Sequence, residues 1–339
     1  MSGVFVKTDS TTWKAATNYY VKTSTGWKEI NQINAKINST EWKDSGIIKN
    51  NLTIHYDGYN TNSYSGTQTT IDGVAYDWLD LSGNGHHAQV DPQTVSGRIT
   101  FDTTEKAFEF ASVTGTANQN DNISMNKSYV TGPSDAITNL TLAAWIKCNS
   151  GTLGRGNGDP RLIASFDRSA VWRFGVGTDA GNNAYETLSA GKLVFAFVGT
   201  NASGNAVFRG DRIGGGGHGS HNSTSHTYDL RDDSWHYVAV TFTTTELRYY
   251  VDGVKIDTQT NSGFGAISGG VESESPSFGM LGTGSEASSF SGAVFPAHLF
   301  AGKIGAFHYY TSGSDSAATL TDAQILHNFN ALKYRYGFT

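Results

Sequence analysis

Between Asp232 and Asp257 apolar and polar positions alternate through three short runs separated by turn residues. In the first run Trp235, Tyr237, Ala239 and Thr241 share one face of a strand, and His236, Val238, Val240 and Phe242 share the other. Successive strand side chains point to opposite faces, so apolar groups on both sides predict a strand covered on both sides, as in a sandwich. Asp252-Gly253 stands between Tyr249-Tyr250-Val251 and Val254-Lys255-Ile256. That dipeptide is a two-residue hairpin signal, because such a turn needs a positive φ that glycine adopts without strain. The segment reads as a β-meander.

The same period of two places further strands at Leu52–Asp57, Gly97–Phe101, Ala107–Ala111, Asp121–Met125, Leu140–Cys148, Arg161–Phe166, Val171–Val176, Leu193–Val198, Ala206–Arg209, Ser277–Leu281 and Ala301–Tyr310. Residues Gly58–Gly73, rich in Tyr, Asn, Ser and Thr, read as a loop. Only Leu320–Leu332 has a helical period. Thr321 can cap it, and Leu320, Ile325, Phe329 and Leu332 form one apolar stripe. Trp145 and Trp235, lying inside apolar strands, read as core, and the single Cys148 reads as a small buried side chain.

Residues 1–45 repeat a different pattern. Val6-Lys7 to Trp13-Lys14, Val21-Lys22 to Trp27-Lys28, and Lys36-Ile37 to Trp42-Lys43 each have a β-favouring start, a turn rich in small polar residues and a Trp-Lys end. Each unit can close as a small hairpin, but three of them hold too few aliphatic residues to bury a core of their own. Three evenly spaced tryptophans call for a covering surface, so Trp13, Trp27 and Trp42 are the expected attachment anchors. The chain thus divides into an arm, 1–45, and a body, 46–339.

Composition agrees with short strands and many turns: 40 Gly, 18 Phe and 16 Tyr against five Pro, with 16% charged residues in 339. The net charge of −6 is unevenly placed. Residues 1–50 carry seven Lys against Asp9, Glu29, Glu41 and Asp44, for +3, which leaves −9 for the remainder. An acidic body repels a polyphosphate backbone, so nucleic acid is not an expected partner. The N-terminus shows no apolar signal segment and no run has the length of a membrane span, so synthesis in a cytoplasm without membrane insertion is expected.

The Trp235-His236 strand followed by Tyr250-Val251-Asp252-Gly253 resembles the laminin-G-like branch of the concanavalin A-like jelly rolls. Two further phrases resemble the same group as found in phage and bacterial surface proteins: Asp80-Leu81-Ser82-Gly83-Asn84-Gly85, and the ending Asn328 to Gly337 with its Arg335-Tyr336-Gly337 tail. Together they span about residues 50–339. The Trp-Lys repeats resemble those at the front of structural proteins of tailed bacteriophages. The resemblance implies an all-β antiparallel jelly-roll sandwich with a short C-terminal helix, preceded by the hairpin arm. It also implies a virion protein assembled in the bacterial cytoplasm, a fibre, spike or head-decoration component bound to other virion proteins through the arm. A homo-oligomer is expected, with a trimer the state the family suggests. That group mostly binds sugars or proteins, so host-surface glycan is the expected ligand, with a purely structural cement protein and a glycan depolymerase as alternatives.

Candidate chemistry is sparse. Glycoside hydrolysis needs two carboxyl groups flanking the bond. Glu272-Ser273-Glu274 is the nearest approach, and it lacks the Glu-x-Asp-x-x-Glu strand of jelly-roll glucanases. No catalytic residue is assigned and no enzyme is expected. His218, His221 and His226 lie in a glycine-rich loop whose irregular spacing fits a contact loop better than a metal site. Asp167, Asp179 and Asp211 sit at strand ends where related sandwiches hold Ca²⁺, but form no recognisable ligand string, so no cofactor is assigned and Ca²⁺ is the one alternative. Tyr59, Tyr64 and Tyr185, aromatic residues in polar loops, can stack on sugar rings and complete the candidate contacts.

Overall fold

The computed structural model describes residues 5–7, 13–15, 19–23, 26–30, 46–90, 98–110, 123–125, 137–149, 161–167, 172–177, 191–200, 206–209, 229–260, 264–267, 278–281, 300–311 and 316–339. Two compact units share the chain, Met1–Ile47 and Ile48–Thr339. In the first, β1 (Phe5–Lys7) pairs with β2 (Trp13–Ala15), and β3 (Tyr19–Thr23) pairs with β4 (Gly26–Ile30). Both pairs are antiparallel hairpins.

The second unit opens with β5 (Leu52–Asp57), β6 (Thr69–Ile71), β7 (Val74–Tyr76), β8 (Ala88–Val90), β9 (Ile99–Asp102), β10 (Ala107–Phe110) and β11 (Ile123–Met125). It continues through β12 (Asn139–Cys148), β13 (Arg161–Asp167), β14 (Trp172–Val176), β15 (Leu193–Thr200) and β16 (Ala206–Arg209). The meander supplies β17 (Trp235–Thr243), β18 (Glu246–Val251) and β19 (Val254–Thr260), followed by β20 (Phe278–Leu281), β21 (Gly302–Thr311) and the helix α1 (Asp322–Leu332). Among the described residues, eight strands form one sheet in the order β19-β18-β17-β12-β21-β10-β9, with β5 also on β21. Seven form the other in the order β16-β15-β14-β13-β20-β11-β8. Every pairing is antiparallel, and several neighbours, β12 with β17 and β21, β13 with β20 and β11 with β20, are far apart in sequence, as the jelly roll expected from the sequence requires.

The core lies between the sheets. Trp172 of β14 meets Tyr309 of β21 at a ring separation of 5.6 Å, and Phe197 of β15 meets Phe242 of β17 edge-on at 4.9 Å. Val238, Val240 and Phe242 point into this layer. The opposite face of β17 is buried as well, but by a different partner. Trp145 of β12 stacks on Tyr336 at 4.2 Å and on Phe329 of α1 at 5.6 Å, while Tyr237 of β17 lies 6.2 Å from Phe329. The helix and tail therefore cover the outer face of the eight-stranded sheet. Trp145 is core of this second layer, whereas Trp235 is only half-buried at its rim, its ring tilted 55° to that of Tyr336 at 4.8 Å.

Local chemistry fixes the helix. The Thr321 hydroxyl accepts from the Gln324 amide and the Gln324 side chain returns a bond to the Thr321 amide, a capping box that satisfies two end donors. Ile325, Phe329 and Leu332 face the sheet as the stripe predicts, and Asn328 joins them fully buried. Its amide donates to Tyr310 Oη at 2.9 Å and its carbonyl oxygen accepts from the Ile48 amide at 2.8 Å. The loop expected over Gly58–Gly73 contains β6, closed against β7 by Asp72-Gly73 with φ of 49° and 79°. Asp252-Gly253 closes β18 on β19 with nearly the same angles, 50° and 79°. Among the described residues no helix is long and apolar enough to cross a membrane.

Candidate functional site

Of the residues expected to contact glycan, Tyr59 and Tyr64 are described. The Tyr59 hydroxyl donates to the Arg335 carbonyl and its ring meets Tyr336 edge-on at 5.4 Å, so the side chain ties the tail to β5. Tyr64 packs 4.0 Å from Phe101 and 5.2 Å from Phe108. Tyr185, His218, His221 and His226 lie outside the described residues, as do Trp42, Glu272, Glu274, Asp179 and Asp211. Trp13 and Trp27 take register positions opposite Lys7 and Lys22. Asp167 ends β13 opposite Phe278.

The phrase Asp80 to Gly85 builds a turn, as its composition suggests. One oxygen of Asp80 accepts from the His55 and Ser82 amides, both at 2.9 Å, and the other from Ser82 Oγ at 2.6 Å and the His86 amide at 3.0 Å. Asn84 Nδ2 donates to the Leu52 and Thr53 carbonyls, clamping the turn to the edge of β5. Every one of these groups is engaged in holding the backbone.

A surface that sequence reading missed lies on the seven-stranded sheet. In β11 Ile123 and Met125 point into the core, so Ser124 between them belongs to the outer face. In β14 Trp172 and Phe174 do the same on either side of Arg173. Register joins these positions into one row: Gln89 opposite Ser124, Ser124 opposite Met280, Met280 opposite Ser165, Ser165 opposite Arg173, and Arg173 opposite Ala196. Five inter-strand spacings give it a width of about 24 Å. Burial deepens toward the middle: Gln89 and Ser124 are half-buried, Ser165 is 1% exposed and Arg173 8%. The row therefore holds hydroxyl, amide and guanidinium groups with one permanent charge near its centre. Ser124, Ser165 and Arg173 each already engage a neighbouring group, and the planar Arg173 guanidinium has five donors to divide between such partners. The sequence signal was a lone polar residue between apolar neighbours, as in Ile123-Ser124-Met125 and Trp172-Arg173-Phe174.

Carboxylates cluster on the other side of the sandwich. Lys303 Nζ stands 2.6 Å from Asp102 Oδ2 and 2.5 Å from Glu105 Oε2, and Lys147 Nζ stands 2.8 Å from Glu105 Oε1. The hydrogen bond from Lys303 holds the Asp102 carboxyl down at about 2. Burial opposes ionisation of Glu105, but the bonds from Lys147 and Lys303 outweigh it and lower its pKa. His236 is braced between Asp252 Oδ2 at 2.9 Å and Asp232 Oδ2 at 3.3 Å. Burial disfavours its charge, yet the two carboxylates raise its pKa overall. Asp102 and Glu105 are thus held ionised by lysines, the reverse of what a proton-donating glycosidase acid needs. Among the described residues no group of His, Cys, Asp and Glu has the arrangement of a metal site.

Three comparisons bear on identity. The model of the Concanavalin A-like lectin/glucanases superfamily matches residues 121–301, more than half of the chain. Among curated proteins no sequence matches. Similar solved structures include the binding domain of Paraclostridial mosquitocidal protein 1, at TM-score 0.48 and 14% identity, covering 84% of this chain and 52% of that one. The binding domain of botulinum neurotoxin DC in complex with SialylT aligns at TM-score 0.45 and 14% identity, over 84% of this chain and 52% of that one. The botulinum neurotoxin serotype G binding domain gives 0.45 and 11%, over 82% and 50%. The chain spans about half the length of these structures.

Proposed function

Since the chain belongs to the concanavalin A-like lectin/glucanases superfamily, we propose that it is a non-catalytic, lectin-like binding protein whose ligand face is the outer side of the seven-stranded sheet. The observation that carries this reading is the in-register polar row centred on Ser165 and Arg173. The opposite outer face is closed by α1 and the tail, which pack on Trp145. The ion-paired state of Asp102 and Glu105 supports binding over hydrolysis. The ligand class is an oligosaccharide of a cell surface, read by hydroxyl and guanidinium donors and multiplied in strength by many copies on one particle.

The wider setting of this proposal is a bacteriophage virion. The Trp-Lys arm is its support: Trp13, Trp27 and Trp42 anchor the protein to other virion subunits, and the sandwich faces outward as part of a fibre, a spike or a head decoration.

A glycan array probed with the full chain, its Arg173→Lys variant and its Arg173→Gln variant tests the binding face. Arg173→Lys keeps the charge and loses the planar fork, so it should weaken retained glycans about tenfold, and Arg173→Gln more. Reducing-sugar release should stay at background for all three. Equal binding by all three at unchanged melting temperature would remove the row from the site. No glycan bound by the wild type would favour the purely structural alternative.

A further inference from the structure

Two histidines lie side by side beneath the C-terminal cover of the eight-stranded sheet. Ile54 and Tyr56 of β5 and Phe307 and Tyr309 of β21 belong to the inter-sheet core, so His55 and His308 point the other way, toward α1 and the tail. Register sets the two opposite each other, both are 0% exposed, and their rings are 4.9 Å apart. An imidazole in such a layer is tolerated while neutral and becomes costly once it takes up a proton.

The surroundings make that cost higher. Lys49 Nζ stands 3.4 Å from His55 Nδ1. An ammonium has no lone pair, so Nδ1 is the acceptor of this contact, and a proton added there replaces a hydrogen bond with a repulsion. Arg335 brings a second positive charge from the tail. Burial first, and then these two cations, hold the His55 pKa well below its ordinary value. Two carboxylates stand near the pair among the described residues. Asp57 already accepts from Arg335 and the Tyr59 amide, and Asp80 already accepts from the His55, Ser82 and His86 amides and the Ser82 hydroxyl.

Both cations also sit at the fastenings of the cover. Lys49 follows Ile48, whose amide donates to Asn328 Oδ1 of α1 at 2.8 Å and whose carbonyl accepts from Tyr310 Oη at 3.0 Å. Arg335 is itself the fastening of the tail, through Asp57, and its carbonyl takes the Tyr59 hydroxyl. Charge arriving on the histidines therefore pushes on both fastenings at once, whereas the layer between the sheets is built from apolar and aromatic side chains.

We infer that His55 and His308 form an acid-sensitive latch, whose protonation releases α1 and the tail and uncovers Ala143, Trp145, Tyr237 and Ala239 while the two sheets stay packed. The latch works whether or not the sandwich binds glycan. Below a solvent-exposed histidine pKa of about 6.5 the open state takes up a proton that the closed state refuses, so closure weakens as pH falls. Between about pH 7.5 and about pH 5.5 one such histidine shifts the opening equilibrium about tenfold.

Hydrogen exchange of the full chain, followed by mass spectrometry at these two pH values and corrected for the intrinsic pH dependence of exchange, reads the opening. Protection over residues 322–332 should fall about tenfold or more at the lower pH, and protection of β14 in the other sheet should stay within about twofold. Lys49→Glu, a change on an exposed residue, sets a counter-charge at His55 and should remove most of that fall. His55→Gln with His308→Gln should remove it altogether, and Lys49→Glu stands in if that pair disturbs folding. His86, whose pKa burial also lowers, lies at the Asp80 turn, and His86→Gln should keep the wild-type response. Unchanged protection of 322–332 at the lower pH overturns the latch. So does an equal fall in β14, a wild-type response from Lys49→Glu, or loss of the response in His86→Gln.

Discussion

Arg335→Ala should lower the stability of the body by about 3–5 kcal/mol, because it strips the counter-charge from a carboxylate with no access to water. Asp57, at the end of β5, is 0% exposed, and Arg335 Nη1 donates to its Oδ2 from a side chain that is itself only 12% exposed. The other oxygen, Oδ1, accepts from the Tyr59 amide at 2.9 Å. An amide bond of that kind does not replace the counter-charge of a buried carboxylate once the guanidinium is gone. The loss also spreads along the tail. Arg335 precedes Tyr336, whose ring lies almost parallel to Trp145, at 12° and 4.2 Å, and its carbonyl receives the Tyr59 hydroxyl. On a unit of this size such a cost amounts to a fall in Tm of roughly 6–15 °C.

The assay is a thermal melt of the full chain followed by circular dichroism, with four proteins forming a cycle: wild type, Arg335→Ala, Asp57→Asn and the double variant. Removing both partners leaves no unpaired charge, so the double variant should recover much of the loss, giving a coupling of about 2 kcal/mol or more. A fall in Tm under about 2 °C for Arg335→Ala would refute the reasoning, since it would place the pair with exposed ion pairs worth at most about 1 kcal/mol. Additive single losses in the cycle would do the same.

Four further outcomes follow from the geometry. Gly58→Ala should unfold the body or cost several kcal/mol, because an added Cβ would stand 2.0 Å from the Lys106 carbonyl oxygen; soluble yield and Tm check it. His236 has a folded pKa raised above its unfolded one, so its contribution to stability is complete below about pH 6 and disappears as pH rises through the folded pKa. Melts between about pH 6 and pH 8.5 should show that decline in the wild type and not in His236→Gln. Removal of residues 1–45 should leave a body with a cooperative melt and mainly β circular dichroism, since strands and helix of the second unit lie beyond the arm. Changing Trp13, Trp27 and Trp42 together to Ala should strip the protein from purified particles without altering the body's melt, as quantified by peptide mass spectrometry.

Most of the sandwich was legible because its strands alternate cleanly. β5 and β16 have the bounds that the pattern gave, and β12, β14 and β21 differ by a residue or so at their ends. The hairpin β6–β7 was missed although Asp72-Gly73 carries the same turn signal as Asp252-Gly253. Its strands are three residues each and none of their side chains is fully buried, so no apolar period supported the turn. Asn328 was invisible for a related reason: a polar residue on an apolar helix stripe makes sense only once Tyr310 and Ile48 are known to meet it. The polar row was illegible as a unit, because Gln89, Ser124, Ser165 and Arg173 come from four separated strands and only register aligns them. Tyr59 stood out as an aromatic in a polar loop, and its bond to Arg335 depends on where the far end of the chain returns.

The two outer faces of the sandwich differ for a reason already present in the strands. β12 and β17 are apolar at consecutive positions, with Ala143, Trp145, Tyr237 and Ala239 facing away from the inter-sheet core and still fully buried. Such a face cannot be left to water, and its central alanines leave room for a helix to approach. Thr141 secures that approach, its hydroxyl donating to the Ala318 carbonyl at 2.8 Å and accepting from the Leu320 amide at 2.9 Å. β11 and β14 instead put Ser124 and Arg173 at the alternate positions, which needs no apolar cover. The polar outer row of the seven-stranded sheet, the face proposed for binding, follows from those alternate positions, and Arg335, Tyr336 and Phe329, which hold the apolar layer shut on the other face, bear on stability. Variants at these three positions should lower Tm while leaving the affinity of the folded protein for glycan unchanged, whereas Arg173 variants, which alter a buried and bonded side chain, should lower affinity beyond what their fall in Tm accounts for.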